Sequence, residues 1–218
     1  MTSFPGSPRL IKGGIVLVDP VSGAVLRVIA LQYNPDTLSR TLQVQAVGGE
    51  GDRLEALRLK GPPTETIKLE AEIDATDQME FPDQNPIVGE SGIAPQLAAL
   101  ETIVYPTSAS LIAADGLARA GTLEIAPAET ALTLLVWNEN RVLPVRITEF
   151  SITEEAFDPR LNPIRAKISL GMRVLSVFDL GFNHKGGGLF LAYLQTKERL
   201  ARRSAGSALS ALGIGSIG

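Results

Sequence analysis

The chain carries one histidine and no cysteine. Without a thiol there is no disulfide framework, no thiolate metal site and no cysteine nucleophile. His184 stands beside Lys185 at the head of a glycine run, Gly186 to Gly188. A catalytic histidine needs a nucleophile on one side and an orienting partner on the other. The spacing around His184 supplies neither, so it is expected as a solvated loop residue. Glu154, Glu155 and Asp158 form an acidic step. Carboxylates are hard ligands for a cation, but these match no calcium-loop spacing and read as a charged turn. Gly48-Gly49-Glu50-Gly51-Asp52 has the glycines of a phosphate loop without the lysine and hydroxyl residue that must follow them. The basic cluster Lys197, Arg199, Arg202 and Arg203 suits phosphate or anionic lipid. Only Tyr193 lies near it, so there is no interleaved aromatic platform for nucleic acid. The expectation is a non-enzymatic chain, with no cofactor, no metal and no nucleic acid, whose partners are proteins.

The elements that position these residues have room for a core. The chain has 218 residues, 44% of them hydrophobic and 20% charged. No run of about 18 apolar residues is present, so no membrane span or direct membrane insertion is expected. The opening residues lack the basic start and apolar segment of a signal peptide. Charge is segregated. Residues 63–130 hold twelve acids and two bases, whereas residues 185–218 hold five bases and one acid. An acidic body with a basic tail favours contact between subunits.

Residues 1–13 read as a flexible arm. Gly14–Val18 and Ala24–Leu31 are β-forming stretches joined by a turn at Asp19–Gly23, so they predict a hairpin. Tyr33-Asn34-Pro35 closes the second strand, with Asn34 and Pro35 suited to a tight turn. Ser39–Val47 predicts another strand. In residues 62–74, Ile67, Leu69, Ala71 and Ile73 face one way and Lys68, Glu70 and Glu72 the other. Residues 75–91 read as a loop. A helix follows from Ser91 or Gly92, with Pro95 in its first turn and Leu97, Leu100, Ile103 and Val104 on one face. Residues 107–121 are ambiguous. Thr130–Asn138 is an apolar strand with the sole tryptophan. The glycine-rich segment 179–188 reads as a hinge. Leu189–Arg203 reads as a helix that docks on a neighbouring subunit through Leu189, Leu191, Tyr193 and Leu194. Residues 204–218 are expected to order only on a partner.

The organising stretch is Arg141–Ser176. In its second strand Ile164, Ala166, Ile168, Leu170, Met172 and Val174 alternate with polar residues, a period of two. In its first strand the apolar phase slips near Thr148–Glu149, which predicts a β-bulge. Phe157–Pro163 is the turn between them. Here the chain resembles the tube-domain family of contractile injection systems, in particular the N-terminal domain of their LysM-bearing baseplate proteins. Phe157, Asp158, Pro163, Arg165 and Ala166 match a run frequent in that family, and Asn162 stands where glycine is usual. The Tyr33-Asn34-Pro35 box, the strand at 62–74 and the Trp137-Asn138 step extend the resemblance over about residues 24–178. Residues 179–218 are not expected to form the LysM module, being too few and of the wrong composition.

The resemblance implies a mainly β fold, an antiparallel tube-type barrel or sandwich over residues 14–178 with one flanking helix, extended by a C-terminal helix and tail at 189–218. It implies a structural baseplate or inner-tube adaptor in a six-fold ring, with spike, tube and other baseplate proteins as partners. Such a chain assembles in the cytoplasm as part of a phage-tail-like particle. Tyr33, Asn34, Pro35, Asp158, Asn162, Pro163 and Arg165 would shape the ring's loops. The alternatives are the repeating inner-tube subunit and, from a different class, a monomeric β-barrel ligand-binding module with an apolar internal cavity.

Overall fold

Alternation of small apolar and polar residues over 163–174 dictates a strand with one buried face, and β-branched residues favour it. In the computed structural model this strand lies near the middle of a seven-stranded antiparallel sheet. The structure describes residues 10–46, 58–121, 130–204, 206 and 209–216. The Gly48–Asp52 break and most of the 1–13 arm lie outside them.

The strands are β1 (Gly14–Val18), β2 (Val25–Ala30), β3 (Leu38–Gln43), β4 (Thr64–Asp74), β5 (Leu132–Asn138), β6 (Arg141–Phe157) and β7 (Pro163–Val174), in the order β2-β1-β5-β6-β7-β4-β3. The protein is mainly β with flanking helices. Ala166, Ile168, Leu170 and Met172 are all but inaccessible, as their alternation demands. The phase slip is a real bulge. Ile147 pairs with Met172 but Glu149 pairs with Gly171, so Thr148 has no partner, and Phe150 and Ile152 turn onto the core. β5 is apolar without alternation because both its faces are covered. Leu135 packs in the main core, whereas Leu132 and Leu134 pack with Val18, Leu180 and Leu189 on the other side.

The sheet rolls on itself until β2, at one end of the order, meets β4 near the other. The closing contact is a side chain. Past the end of β2, Gln32 Nε2 donates to the Asp74 carbonyl at 2.6 Å, and its Oε1 accepts from the Asp74 N–H at 3.0 Å. One amide group thus stands in for a strand's peptide group at the seam.

Residues 75–91, expected as a loop, form two short helices, α1 (Thr76–Met79) and α2 (Pro86–Ser91), followed by α3 (Ala94–Glu101) and α4 (Ser108–Arg119). α3 is the expected helix, with Leu97 and Leu100 buried and Pro95 in its first turn. α1 and α2 have no side-chain cap. Their order comes from elsewhere: the β6–β7 turn docks on them. Arg160 and Asn162 donate to the carbonyls of Gly89 and Glu90, and Ile93 N–H donates to the Pro163 carbonyl at 2.8 Å. Gly92 has φ +57°, and a Cβ there would lie 2.1 Å from the Pro163 carbonyl oxygen, so only glycine fits.

The left-handed residue of the β6–β7 turn is Leu161, with φ 66°. Leu161 therefore fills the position that suits glycine, while Asn162 supplies hydrogen bonds. The glycine hinge is not a hinge. Gly186–Gly188 form the first turn of α6 (Lys185–Arg203), which follows α5 (Val177–Leu180). A Cβ on Gly187 would lie 2.0 Å from the Gly181 carbonyl oxygen, and one on Gly186 would lie 2.4 Å from Leu180. These glycines allow close packing of two helices rather than freedom of a linker.

Candidate functional site

Three places combine chemistry with position: a buried ionic hub under α6, the seam between β2 and β4, and the apolar surfaces at the ends of the sheet.

The hub centres on Glu65. It occupies the inward phase of β4, in register with Ile67, Leu69 and Ala71, and is 3% exposed. Arg40 of β3 reaches Glu65 Oε1 at 2.6 Å, and Lys197 of α6 reaches Oε2 at 3.0 Å. Tyr193 Oη donates to Oε1 at 3.2 Å and accepts from Arg40 at 2.9 Å. The Lys197 ammonium also lies 4.1 Å from the centre of the Tyr193 ring, a cation–π contact. Burial pushes the Glu65 carboxyl up, but the hydrogen bonds and charges of Lys197 and Arg40 outweigh it and hold the group below its ordinary value. Glu65 was legible as a charge on the apolar phase of an alternating strand, a signal that marks a paired buried ion.

The hub corrects the expectation for the tail helix. α6 docks on its own chain. Phe190 and Tyr193 are buried in the main core, Leu191 packs against it, and Leu189 packs on the second cluster. Leu194 is 38% exposed. Phe190 and Tyr193 are spent within the subunit, because α6 covers apolar surface that the sheet would otherwise leave open, whereas Leu194 stays exposed. His184, expected to be solvated, is the N-cap of α6, its Nδ1 accepting from Gly186 N–H at 3.1 Å.

At the seam, Asn34 Oδ1 accepts from Gly13 N–H at 2.9 Å and its Nδ2 donates to the Ile11 carbonyl at 2.8 Å. Asn34 therefore clamps a distant segment rather than its own turn, while Tyr33 is 47% exposed and Pro35 follows in the loop. Beside the seam, on the β4–β7 ladder, Arg165 pairs with Asp74 Oδ2 at 2.7 Å. Hydrogen bonds from Thr76, then from Arg165, keep the Asp74 carboxyl below its ordinary value. Arg27 of β2 donates to the Ala99 carbonyl at 3.0 Å and Thr102 Oγ1 at 2.7 Å, stapling α3 across the gap. Beneath lies a cavity of about 360 Å³.

The turn residues do hold a loop. Asp158 Oδ1 accepts from the N–H groups of Arg160 and Asn162 at 2.7 and 2.8 Å, and its Oδ2 from the Asn162 amide at 2.8 Å. These bonds, Asn162 first, lower the Asp158 pKa. Glu155 pairs with Lys167 at 2.7 Å. Among the described residues no cluster of His, Asp and Glu is arranged to hold a metal.

The ends of the sheet are apolar and open. In β2, Val25, Leu26 and Val28 are about 60% exposed (61, 59 and 64%). At the other end Leu42 of β3 is 46% exposed, with Val44 and Leu59 beyond it. α4 has no buried residue among those described, and Leu111 and Ile112 are 57 and 73% exposed. No helix of the described residues is long and apolar enough to cross a membrane.

No protein-family model matches the chain, and no curated protein matches it. Among solved structures it is similar to a chain described as "Tail of empty GTA particle computed with helical refinement, C6 symmetry", at 13% identity and a TM-score of 0.32, over 75% of this chain and 90% of that one. At that TM-score the likeness establishes neither a shared fold nor a shared role.

Proposed function

We propose that this chain is a structural subunit of a phage-tail-like particle, a baseplate adaptor that joins the inner tube to the central spike in a six-fold ring assembled in the cytoplasm. The observation that carries the reading is β2, an apolar strand on an open sheet edge. An exposed apolar edge is a template for pairing with another chain, and isolated proteins blunt such edges. β3 ends the other side of the sheet with its own apolar residues. Two different surfaces at opposite ends give a head-to-tail contact, and a head-to-tail contact that closes makes a ring. The resemblance of the β6–β7 turn to tube-domain proteins supports the same role. The work is mechanical rather than catalytic: the inward positions of the strands are aliphatic, and the buried Glu65 is consumed by two cations.

The test is the mass of the full chain in solution, alone and with spike and tube proteins, by native mass spectrometry. The expected result is a six-fold complex that the variant Leu26→Lys/Val28→Lys fails to enter while keeping its circular dichroism spectrum. A variant that assembles as well as the parent removes the β2 edge from the ring. The repeating tube subunit is distinguished by self-assembly into long tubes without a spike protein. The seam cavity favours the alternative of a monomeric ligand-binding module, which would give a single-chain mass with every partner.

A further inference from the structure

The inward row of β4 runs Ile67, Leu69, Ala71, Ile73, and its one small side chain, Ala71, lies at the seam cavity. Leu31 of the β2 side, Leu100 of α3 and Ile168 of β7 complete an apolar lining. At about 360 Å³ the space falls within the range of small-molecule sites, about 300–1,000 Å³. Gln96 of α3 also lines it, and among the described residues its buried Oε1 has no hydrogen-bond partner. A buried acceptor left unpaired is costly and selects a donor. Of the charges at the rim, Arg27 is engaged by Ala99 and Thr102 and Asp74 by Thr76 and Arg165, while Glu72 lies 3.8 Å from Arg165 and stays half exposed.

We infer that the seam cavity is a binding site for a small, uncharged, largely apolar molecule that carries one N–H or O–H group donating to Gln96 Oε1. Charged ligands are disfavoured, because the interior lining is aliphatic and Arg27 and Asp74 are already engaged. The bound molecule touches β2, β4 and α3 together, so its occupancy braces the closure made by Gln32.

The probe is N-phenyl-1-naphthylamine, an uncharged aromatic with one N–H that fluoresces in apolar surroundings, set against 1-phenylnaphthalene, which lacks the N–H. Both are titrated into the full chain. The expected result is saturable enhancement at one probe per chain. Ala71→Leu, which fills the space, abolishes it. Gln96→Leu weakens the amine about tenfold, one hydrogen bond's worth, and leaves the hydrocarbon within about twofold. Amide shifts in the unmodified chain provide a readout that needs no variant: they cluster at Leu31, Ile73 and Gln96. No saturable binding, shifts confined to Val25 and Leu26 outside the lining, or equal losses of both probes in Gln96→Leu would each overturn the assignment.

Discussion

Two helices of this chain end in arginine and carry apolar side chains, yet they stand in opposite relations to the sheet. α6 buries Gly186, Gly187, Phe190 and Tyr193 and is pinned through Lys197 to Glu65. α4 buries none of its described residues and is held locally, by the Thr107 cap at 3.1 Å and an Asp115–Arg119 pair at 2.9 Å. Apolar content alone does not say which helix faces a neighbour. What decides is whether the chain itself offers a surface of matching depth and charge. α6 meets such a surface, with small residues at its approach and a buried carboxylate at its far end. Among the described residues α4 meets none, so its Leu111 and Ile112 are open to another molecule.

The largest effect should come from removing α6. A chain ending at Ser176 loses Phe190 and Tyr193 from the core and leaves Glu65 without Lys197. We expect loss of cooperative denaturation, read by near-UV circular dichroism. A truncated chain with the parent's transition would show that α6 is an appendage and erase the contrast with α4. Next comes Glu65→Gln, which leaves Arg40 and Lys197 facing a neutral group. Breaking a buried pair costs about 3 kcal/mol, and urea denaturation should show a loss near that size. A loss below about 1 kcal/mol would mean that packing, not the hub, holds α6.

A smaller effect concerns pH. The folded-state pKa of Glu65 is depressed, so its contribution is present above the unfolded-state value, about 4. It is lost as pH falls through the folded value. Stability of the parent should therefore decline from about pH 5 downward more steeply than that of Glu65→Gln. Asp74, Asp158 and Asp179 are depressed as well, and the difference between the two chains removes their share. Parallel pH curves would remove Glu65 from the account. The smallest effect on stability belongs to α4. Leu111→Asp with Ile112→Asp should change unfolding free energy by no more than about 0.5 kcal/mol, as surface substitutions do. The same variant should fail to join the complex in native mass spectrometry. Marked destabilisation would mean that α4 covers its own chain after all.

Much of the sheet was legible because period-two alternation survives any tertiary context. β7, the Thr148 bulge and the β1–β2 hairpin follow from residue types alone. The short helices α1 and α2 were not legible, since their order comes from a turn some 70 residues later in the chain that donates to Gly89 and Glu90. The glycines of α6 misled for a related reason. Glycine signals either freedom or close approach, and only the position of Gly181 shows which applies. Leu161 is the mirror case, a bulky residue held at positive φ by the bonds on either side of it. Of the site residues, Asp158 and Asn162 hold their own loop as their types suggest, Asn34 clamps the distant Ile11–Gly13 segment instead of its own turn, and Tyr193, singled out as an anchor of the helix, is buried against its own chain. Glu65 was visible as a break in pattern and went unread.

The clasp made by Gln32 gives the protein a door held by side chains, with the Arg27 staple to α3 beside it. A strand pair resists opening through many peptide bonds in series, so it frays from an end. At this seam side chains with rotatable torsions join β4 and α3 to the β2 side, and a change of the Gln32 rotamer releases both of its bonds to Asp74 at once. Opening then requires no register shift and no loss of sheet elsewhere. The interior can exchange its contents on the timescale of a side-chain rotation coupled to a small spreading of two strand ends, while the remaining ladders keep the shape of the whole.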